Sequence, residues 1–249
     1  MAKKLYVVKS NELVQTFHGK RTLWEQKCIS YICANIVEQY KPDIPVRDQV
    51  FSFSLSEFMK ACDIAKSGQN RKNITDAIDA LQVKSRWVRI QHEDGTEYET
   101  TVAWILKAKI EKGICYFYAD EDMVPSILNL HNKFTKYECE NVLKMNKPSS
   151  IALYELLKSY SFEKYKEFDH KWLLMHLGYD DTPAYTTNFA NFMNKVMNPC
   201  LDEINELTDL GVTAVSHKTG REITSVSFEI KNVDKYLKML KKEGLPVSA

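Results

Sequence analysis

The strongest constraint on the fold is an order of elements that occurs twice along the chain. In the first half, TLWEQKCISYICANIVEQY sets Leu23, Cys28, Ile29, Ile32, Cys33, Ile36 and Val37 near helical spacing, with Thr22 as N-cap and Glu25 completing a capping box. Val50-Phe51-Ser52-Phe53 alternates as a short strand, and Ser54 caps a helix carrying Leu55, Phe58, Met59 and Cys62. After a break at Lys66-Ser67-Gly68, a second helix over about residues 70–83 lays Ile74, Ala77, Ile78 and Leu81 on one face. Residues 87–91 read as a strand, Glu93-Asp94-Gly95-Thr96 as a turn, residues 98–109 as the returning strand and 114–118 as a further one. Asp120 then stands where it can cap a helix over residues 123–130.

The second half runs through the same order. Residues 148–160 form a helix through Ile151, Leu153, Tyr154 and Leu157, Glu167-Phe168 is a short extended link, and Asp169 caps a helix over 172–177. Gly178 opens the turn, residues 186–207 make a long helical pattern, and 211–217 with 222–230 form a hairpin around Lys218-Thr219-Gly220-Arg221. A helix-turn-helix whose second helix leads into a hairpin is a winged helix. The expectation is therefore an α+β chain of two tandem winged-helix domains, residues 1–132 and 133–249. The halves share element order and no visible sequence identity.

Charge gives little help with function. The 34 basic and 33 acidic residues leave a formal charge of +1, so a footprint on nucleic acid would have to come from local placement. Cys28, Cys33, Cys62, Cys115, Cys139 and Cys200 form no C-x-x-C pair and sit mostly in apolar patterns, which suits reduced, buried thiols. Neither a secretory signal nor a membrane-spanning run is expected, so the reading is cytoplasmic.

The most informative piece is the long helix of the second half. Phe189, Phe192, Met193, Val196, Met197, Cys200, Leu201 and Ile204 form its core stripe. Asn188, Asn191, Asn194, Lys195 and Asn198 follow three- and four-residue steps on another side. Asparagine has mediocre helix propensity, and its amide can make a paired contact to adenine in the major groove. A solvated face, with Asn198 as a cap and Pro199 restarting the helix, accounts for the same residues. The tip around Lys218 and Arg221 lies where a wing meets phosphates, or is a soluble turn. Lys66, Gln69, Asn70, Arg71, Lys72 and Asn73 crowd the start of the second helix of the first half, as a backbone contact or as a charged solvated end.

Catalytic readings find less support. There is no G-x-x-x-x-G-K-[ST] motif, and His18, His92, His131, His170, His176 and His217 include no close metal-ligand pair. Asp120-Glu121-Asp122 could hold a metal, yet before an apolar helix it reads better as a helix-end charge cluster. No metal, cofactor or enzymatic activity is expected.

Several segments resemble one family in order. Val8-Lys9-Ser10-Asn11-Glu12-Leu13 before Leu23-Trp24-Glu25-Gln26, then Phe117-Tyr118-Ala119-Asp120 through Leu128, and Ser150-Ile151-Ala152-Leu153-Tyr154-Glu155-Leu156-Leu157, are similar to the Rep_3 plasmid replication initiators. So are Phe192 through Glu203-Ile204-Asn205, Asp209-Leu210, the Lys218–Arg221 turn and Val226-Ser227-Phe228. These are tandem winged-helix proteins that bind repeated origin sequences called iterons. The resemblance implies base readout by Thr187, Asn188, Asn191, Asn194 and Lys195, with backbone contacts from Lys218 and Arg221. Family members often carry arginines along this helix where this chain has asparagines and one lysine, so adenine contacts are expected over guanine contacts.

It also implies double-stranded DNA as partner, in direct repeats and as an inverted operator, together with a monomer–dimer equilibrium. Host initiator and replicative helicase would be recruited, and a dimer would repress the chain's own gene. Two rivals share part of this reading: a winged-helix transcriptional regulator without a replication role, and an origin-nicking enzyme.

Overall fold

The computed structural model describes residues 4–16, 20–91, 96–128, 133–220 and 222–234, with 86–91 described by backbone alone. The chain divides into two compact units, Met1–Leu13 with Thr22–Leu143, and Val14–Arg21 with Lys144–Ala249. The first unit holds β1 (Tyr6–Ser10), α1 (Asn11–Gln15, which runs on into the second unit), α2 (Leu23–Gln39), β2 (Phe51–Ser54), α3 (Leu55–Ala61) and α4 (Gly68–Val83). It continues with β3 (Arg86–Gln91), β4 (Glu97–Val102), β5 (Lys107–Glu111), β6 (Ile114–Tyr118), α5 (Val124–Leu128), β7 (Phe134–Glu138) and α6 (Glu140–Leu143).

Local chemistry sets the helix starts. The Glu25 N–H donates to Thr22 Oγ1 and the Thr22 N–H to Glu25 Oε2, both at 3.2 Å, which is the expected capping box. Every residue from Glu25 to Ile36 is buried, so α2 is the central helix of its unit, packed by β1, β2, α4, α5 and α6. Ser54 caps α3 through the Glu57 N–H at 3.3 Å. Ser67 caps α4 through the Asn70 N–H at 3.1 Å, which starts that helix at Gly68 rather than at Asn70.

The three-stranded antiparallel sheet of this unit has the order β2-β6-β5. Phe51, Phe53, Cys115 and Phe117 face inward, where Tyr31 meets Phe53 and Phe58 at ring-centroid distances of 5.3 and 4.7 Å. Gln39 lies along the free edge of β2, its amide donating to the Ser52 carbonyl at 2.7 Å and accepting the Ser52 N–H at 2.9 Å.

Residues 98–109 are not one returning strand, as alternation suggested. β4 ends at Val102, the Ala103 N–H donates to Asp120 Oδ2 at 3.1 Å, and Trp104 and Ile105 turn into the core. The chain then enters a different sheet as β5. Consequently β3 and β4 form a separate two-stranded hairpin, and the wing is β5–β6. Its turn, Lys112-Gly113, has φ of 50° and 81°, the paired positive values of a type I′ hairpin. The expected turn at residues 93–96 lies, apart from Thr96, outside the described residues, as do Asn129 and Leu130 of the expected 123–130 helix.

The second unit holds α7 (Pro148–Ser159), β8 (Tyr165–Asp169), α8 (His170–Leu177), α9 (Pro183–Thr186), α10 (Phe189–Phe192), a π turn (Met193–Met197), α11 (Asn198–Leu207), β9 (Leu210–Thr219) and β10 (Glu222–Asn232). Its sheet has the order β8-β10-β9. In both units, therefore, the strand after the first helix pairs with the second strand of the hairpin. The repeat read from element order is present as topology: two tandem winged-helix domains.

The units part at a different place from the expected 132/133 division. β7 pairs antiparallel with β1, Tyr6 opposite Glu138 through Ser10 opposite Phe134, and the Thr135 hydroxyl donates to Asn11 Oδ1 at 2.7 Å. These long-range bonds hold residues up to Leu143 in the first unit. The six cysteines are buried thiols. Among the described residues no helix is long and apolar enough to cross a membrane.

Candidate nucleic-acid interface

The helix-turn-helix of the second unit is built on two stops. Asp169 Oδ1 accepts the N–H groups of Lys171 and Trp172 at 2.8 and 3.0 Å and so starts α8. Gly178 ends it at φ 77°, with the Tyr179 N–H returning to the Leu174 carbonyl at 2.8 Å and the Gly178 N–H to Met175 at 3.1 Å, a Schellman motif. A Cβ on Gly178 would also lie 2.9 Å from the Lys20 backbone. Glycine is thus required twice over at this corner. On α8, His176 stacks on Trp172 at 4.7 Å, and burial pushes its imidazole pKa down to about 4, against a smaller upward pull from Glu155.

The helix that follows is held by aromatic packing. Phe192 is fully buried, with Tyr179, Tyr185 and Phe189 around it at 5.6, 5.7 and 5.1 Å. Truncating a buried phenylalanine of this kind costs about 3–5 kcal/mol. The π turn at Met193–Met197 then widens the helix, and the Asn198 N–H donates to the Met193 carbonyl five residues back. Pro199 gives a physical reason: it has no N–H for the Lys195 carbonyl, and its ring crowds that carbonyl in a regular α-helix. Asn198 itself is helical, at φ −58° and ψ −48°. It is not a cap, and the helix does not restart there.

The five residues expected to read bases divide into two groups. Thr187 and Asn188 precede the helix, which begins at Phe189 and not at Thr186. The Thr187 hydroxyl donates to the Pro183 carbonyl at 2.6 Å, and Asn188 Oδ1 caps α10 by accepting the Asn191 N–H at 3.2 Å. Asn191 is half-buried and donates its amide to the Ala184 carbonyl at 3.3 Å. Asn194 and Lys195 are exposed on the π turn, with no hydrogen-bond or ion-pair partner among the described residues. The wide turn therefore presents the two least committed polar side chains of the set.

The wing is longer than its expected bounds. β9 runs to Thr219 and β10 starts at Glu222, which puts exposed Lys218 within β9, opposite Ile223. Gly220 takes φ 65°. Arg221 lies outside the described residues. The His217 ring meets Ser227 Oγ at 2.7 Å and braces the hairpin.

At the start of α4 in the first unit, the six expected backbone-contacting residues also divide. Asn70 donates to the Ala65 carbonyl at 2.9 Å, Gln69 to Asn73 Oδ1 at 2.9 Å, and Lys72 pairs with Asp76 at 2.6 Å on the surface. Lys66 and Arg71 are exposed and make no such contact among the described residues.

A model of the first winged-helix domain (WH1) of initiator replication proteins matches residues 6–158, and one of the second domain (WH2) of initiator Rep proteins matches 153–230. The chain belongs to the Rep_3 initiator family. It is a winged-helix, DNA-binding replication initiator. Among solved structures, RctB domains 2–3 share the fold at a TM-score of 0.51 and 12% identity, over 93% of this Rep_3 chain and 99% of that one. The WH1 domain of MSBI1.176, a replication protein isolated from a multiple sclerosis patient, matches at a TM-score of 0.36 and 14% identity, covering 50% of this chain and 87% of that one.

Several residues that carried the resemblance have structural tasks in this Rep_3 chain. Ser10 Oγ accepts the Leu13 N–H at 3.1 Å. Glu203 reaches the Asn146 N–H at 2.6 Å, and Asn205 pairs both amide atoms with Val212, donating to its carbonyl at 2.9 Å and accepting its N–H at 2.7 Å. Asp209 accepts from Tyr154 and Lys158, each at 2.7 Å. The Ser10 bond is a local helix cap, whereas those of Glu203, Asn205 and Asp209 join separate elements that only the fold brings together.

Proposed function

We propose that this chain initiates plasmid replication by binding direct-repeat iterons through its second winged helix, with Asn194 and Lys195 as the principal base readers. The observation that carries the reading is their exposure, free of local partners, on a widened turn of the helix that a winged helix offers to the major groove. Thr187, Asn188 and Asn191 shape and orient the start of that helix, where their remaining polar atoms still face the groove. Lys218 and Arg221 supply phosphate contacts at the wing, and Lys66 and Arg71 do so at α4, with Gln69, Asn70, Lys72 and Asn73 completing that helix start.

The mechanism is binding energy rather than covalent chemistry. The two winged helices grip successive faces of an iteron and bend or loosen adjacent duplex, and the host initiator and replicative helicase enter there. A monomer–dimer equilibrium separates initiation from repression at an inverted operator. All of this takes place in the bacterial cytoplasm.

Footprinting the purified chain on the DNA flanking its own gene, across a range of salt, tests the reading. Protection of direct repeats about two helical turns apart is expected. Protection of one inverted site alone would make the chain a regulator, and no protection would overturn the assignment.

A further inference from the structure

The outer face of the β2-β6-β5 sheet differs in chemistry from its counterpart in the second unit. On β6, Tyr116 and Tyr118 point outward and are 39% and 37% exposed. Strand register sets Lys109 directly opposite Tyr116 and Lys107 opposite Tyr118, with Ser52 on the other side of Tyr116. Both lysines are exposed, and Lys112 adds a third cation at the turn. Glu111 is the one acid on this face of β5, paired with Lys109 at 2.7 Å. Neither tyrosine ring contacts another ring among the described residues. On the β8-β10-β9 sheet the central-strand positions are Ser225 and Ser227, the β9 positions that correspond to the lysines are His217 and Val215, β8 carries Glu167 and Asp169, and Glu229 is paired with Lys231 at 2.9 Å. Among the described residues, that face is left with two unneutralised acids, Glu167 and Asp169, whereas the first unit's face is left with the cations Lys107 and Lys112 and so attracts a polyanion.

We propose that the outer face of β2-β6-β5 binds single-stranded DNA, two bases stacking on Tyr116 and Tyr118 while Lys107, Lys109 and Lys112 meet the phosphates. The proposal rests on the origin-opening reading above, in which strand separation exposes such a ligand. Strand geometry selects against duplex. Outward side chains two residues apart on a strand are about 6.8 Å apart, twice the roughly 3.4 Å rise per base in a duplex strand. Bases can lie on both rings only when they are unstacked, as in a single strand on an aromatic platform with a basic border. An added β-strand from a protein partner is a poor occupant of the β2 edge, since Gln39 already takes the backbone groups of Ser52.

The test uses the full chain, a labelled oligothymidine and a duplex carrying the origin repeats. Wild-type chain binds the oligothymidine, and Tyr116→Ala with Tyr118→Ala weakens that binding by about 25-fold, or about fivefold for each stacking ring removed, at the low end. Tyr116→Phe with Tyr118→Phe keeps it, because the ring carries the stacking and not the hydroxyl. Lys107→Glu lowers the single-strand salt slope by about 0.7, since one phosphate is no longer neutralised. Duplex binding stays unchanged in all three. Wild-type-like oligothymidine binding by the alanine pair would overturn the proposal, as would failure of the wild-type chain to bind, or loss of self-association alone in that variant. The phenylalanine pair and Lys107→Glu alter exposed groups and guard against a folding artefact. If oligothymidine binding depends on the rings while the repeats are not bound as duplex, the iteron reading falls and this site stands.

Discussion

The phenol of Tyr154, on α7, donates a 2.7 Å hydrogen bond to Oδ1 of Asp209 just before β9, and Lys158 one turn further along α7 meets Oδ2 of the same carboxylate at the same distance. Tyr154 is fully buried and Lys158 is mostly so. The pair fastens the first helix of the second winged helix to the base of its wing. Tyr154→Phe removes one hydrogen bond to a charged acceptor and keeps the ring, which should cost about 1.5–3 kcal/mol. Urea unfolding should show a lower midpoint with an unchanged slope.

His176 should make the second domain acid-sensitive. Its imidazole is neutral when folded, with a pKa near 4, and takes up a proton in the unfolded chain below about 6.5. Between those values the unfolded state binds more protons, so stability is present above 6.5 and is lost as pH falls toward 4, by at most about 3 kcal/mol. His176→Phe keeps a ring against Trp172 and should remove that part of the slope. Unfolding free energies of both chains across this window check it; parallel profiles would show that His176 is not the titrating group.

Pro199 should govern how the recognition helix presents Asn194 and Lys195. Pro199→Ala restores an N–H that can reach Lys195, and the π turn can tighten to α. A one-residue change of phase turns the upstream face by about 100°. Duplex affinity for the repeats should fall while thermal stability stays level or rises. Unchanged affinity would mean that the turn does not set the contact.

Asn194 and Lys218 should fail in different ways. Asn194→Ala should lose about 1–3 kcal/mol on the cognate repeat and nothing on random duplex. Lys218→Ala should weaken both equally and reduce the salt slope by about 0.9. Binding isotherms on both duplexes over a salt series separate the two, and equal loss on both duplexes for Asn194→Ala would remove it from base readout.

Gly178→Ala should destabilise by at least about 1 kcal/mol, since the left-handed conformation penalises any Cβ and the Lys20 backbone stands 2.9 Å from it. A thermal melt measures it, and an unchanged midpoint would mean that the corner relaxes freely.

Much of the architecture was legible in the sequence, because it rests on interactions between near neighbours. Thr22 with Glu25, Ser54 and Asp169 announced their helix starts through bonds spanning two or three residues. The stripe from Phe189 to Ile204 announced a buried face, and Phe192 and Ile204 are fully buried. The candidate site was legible only in part. A helical projection gave Asn188, Asn191, Asn194 and Lys195 one face, yet Asn188 is spent on a cap and Asn191 on Ala184. The π turn at Pro199 breaks the 3.6-residue phase on which that projection depends.

By itself, then, the sequence determined the order and period of the elements, their caps and the apolar faces they had to bury, since these follow from contacts a few residues apart. Tertiary structure alone decided which strands became neighbours. It made β5–β6 the wing and set β3–β4 aside, it returned β7 to β1 and moved the domain division to Leu143, and it joined Asp209 to Tyr154. Alternating segments all carry the same local signal, and only competition for one core and for unpaired backbone groups assigns each its partner.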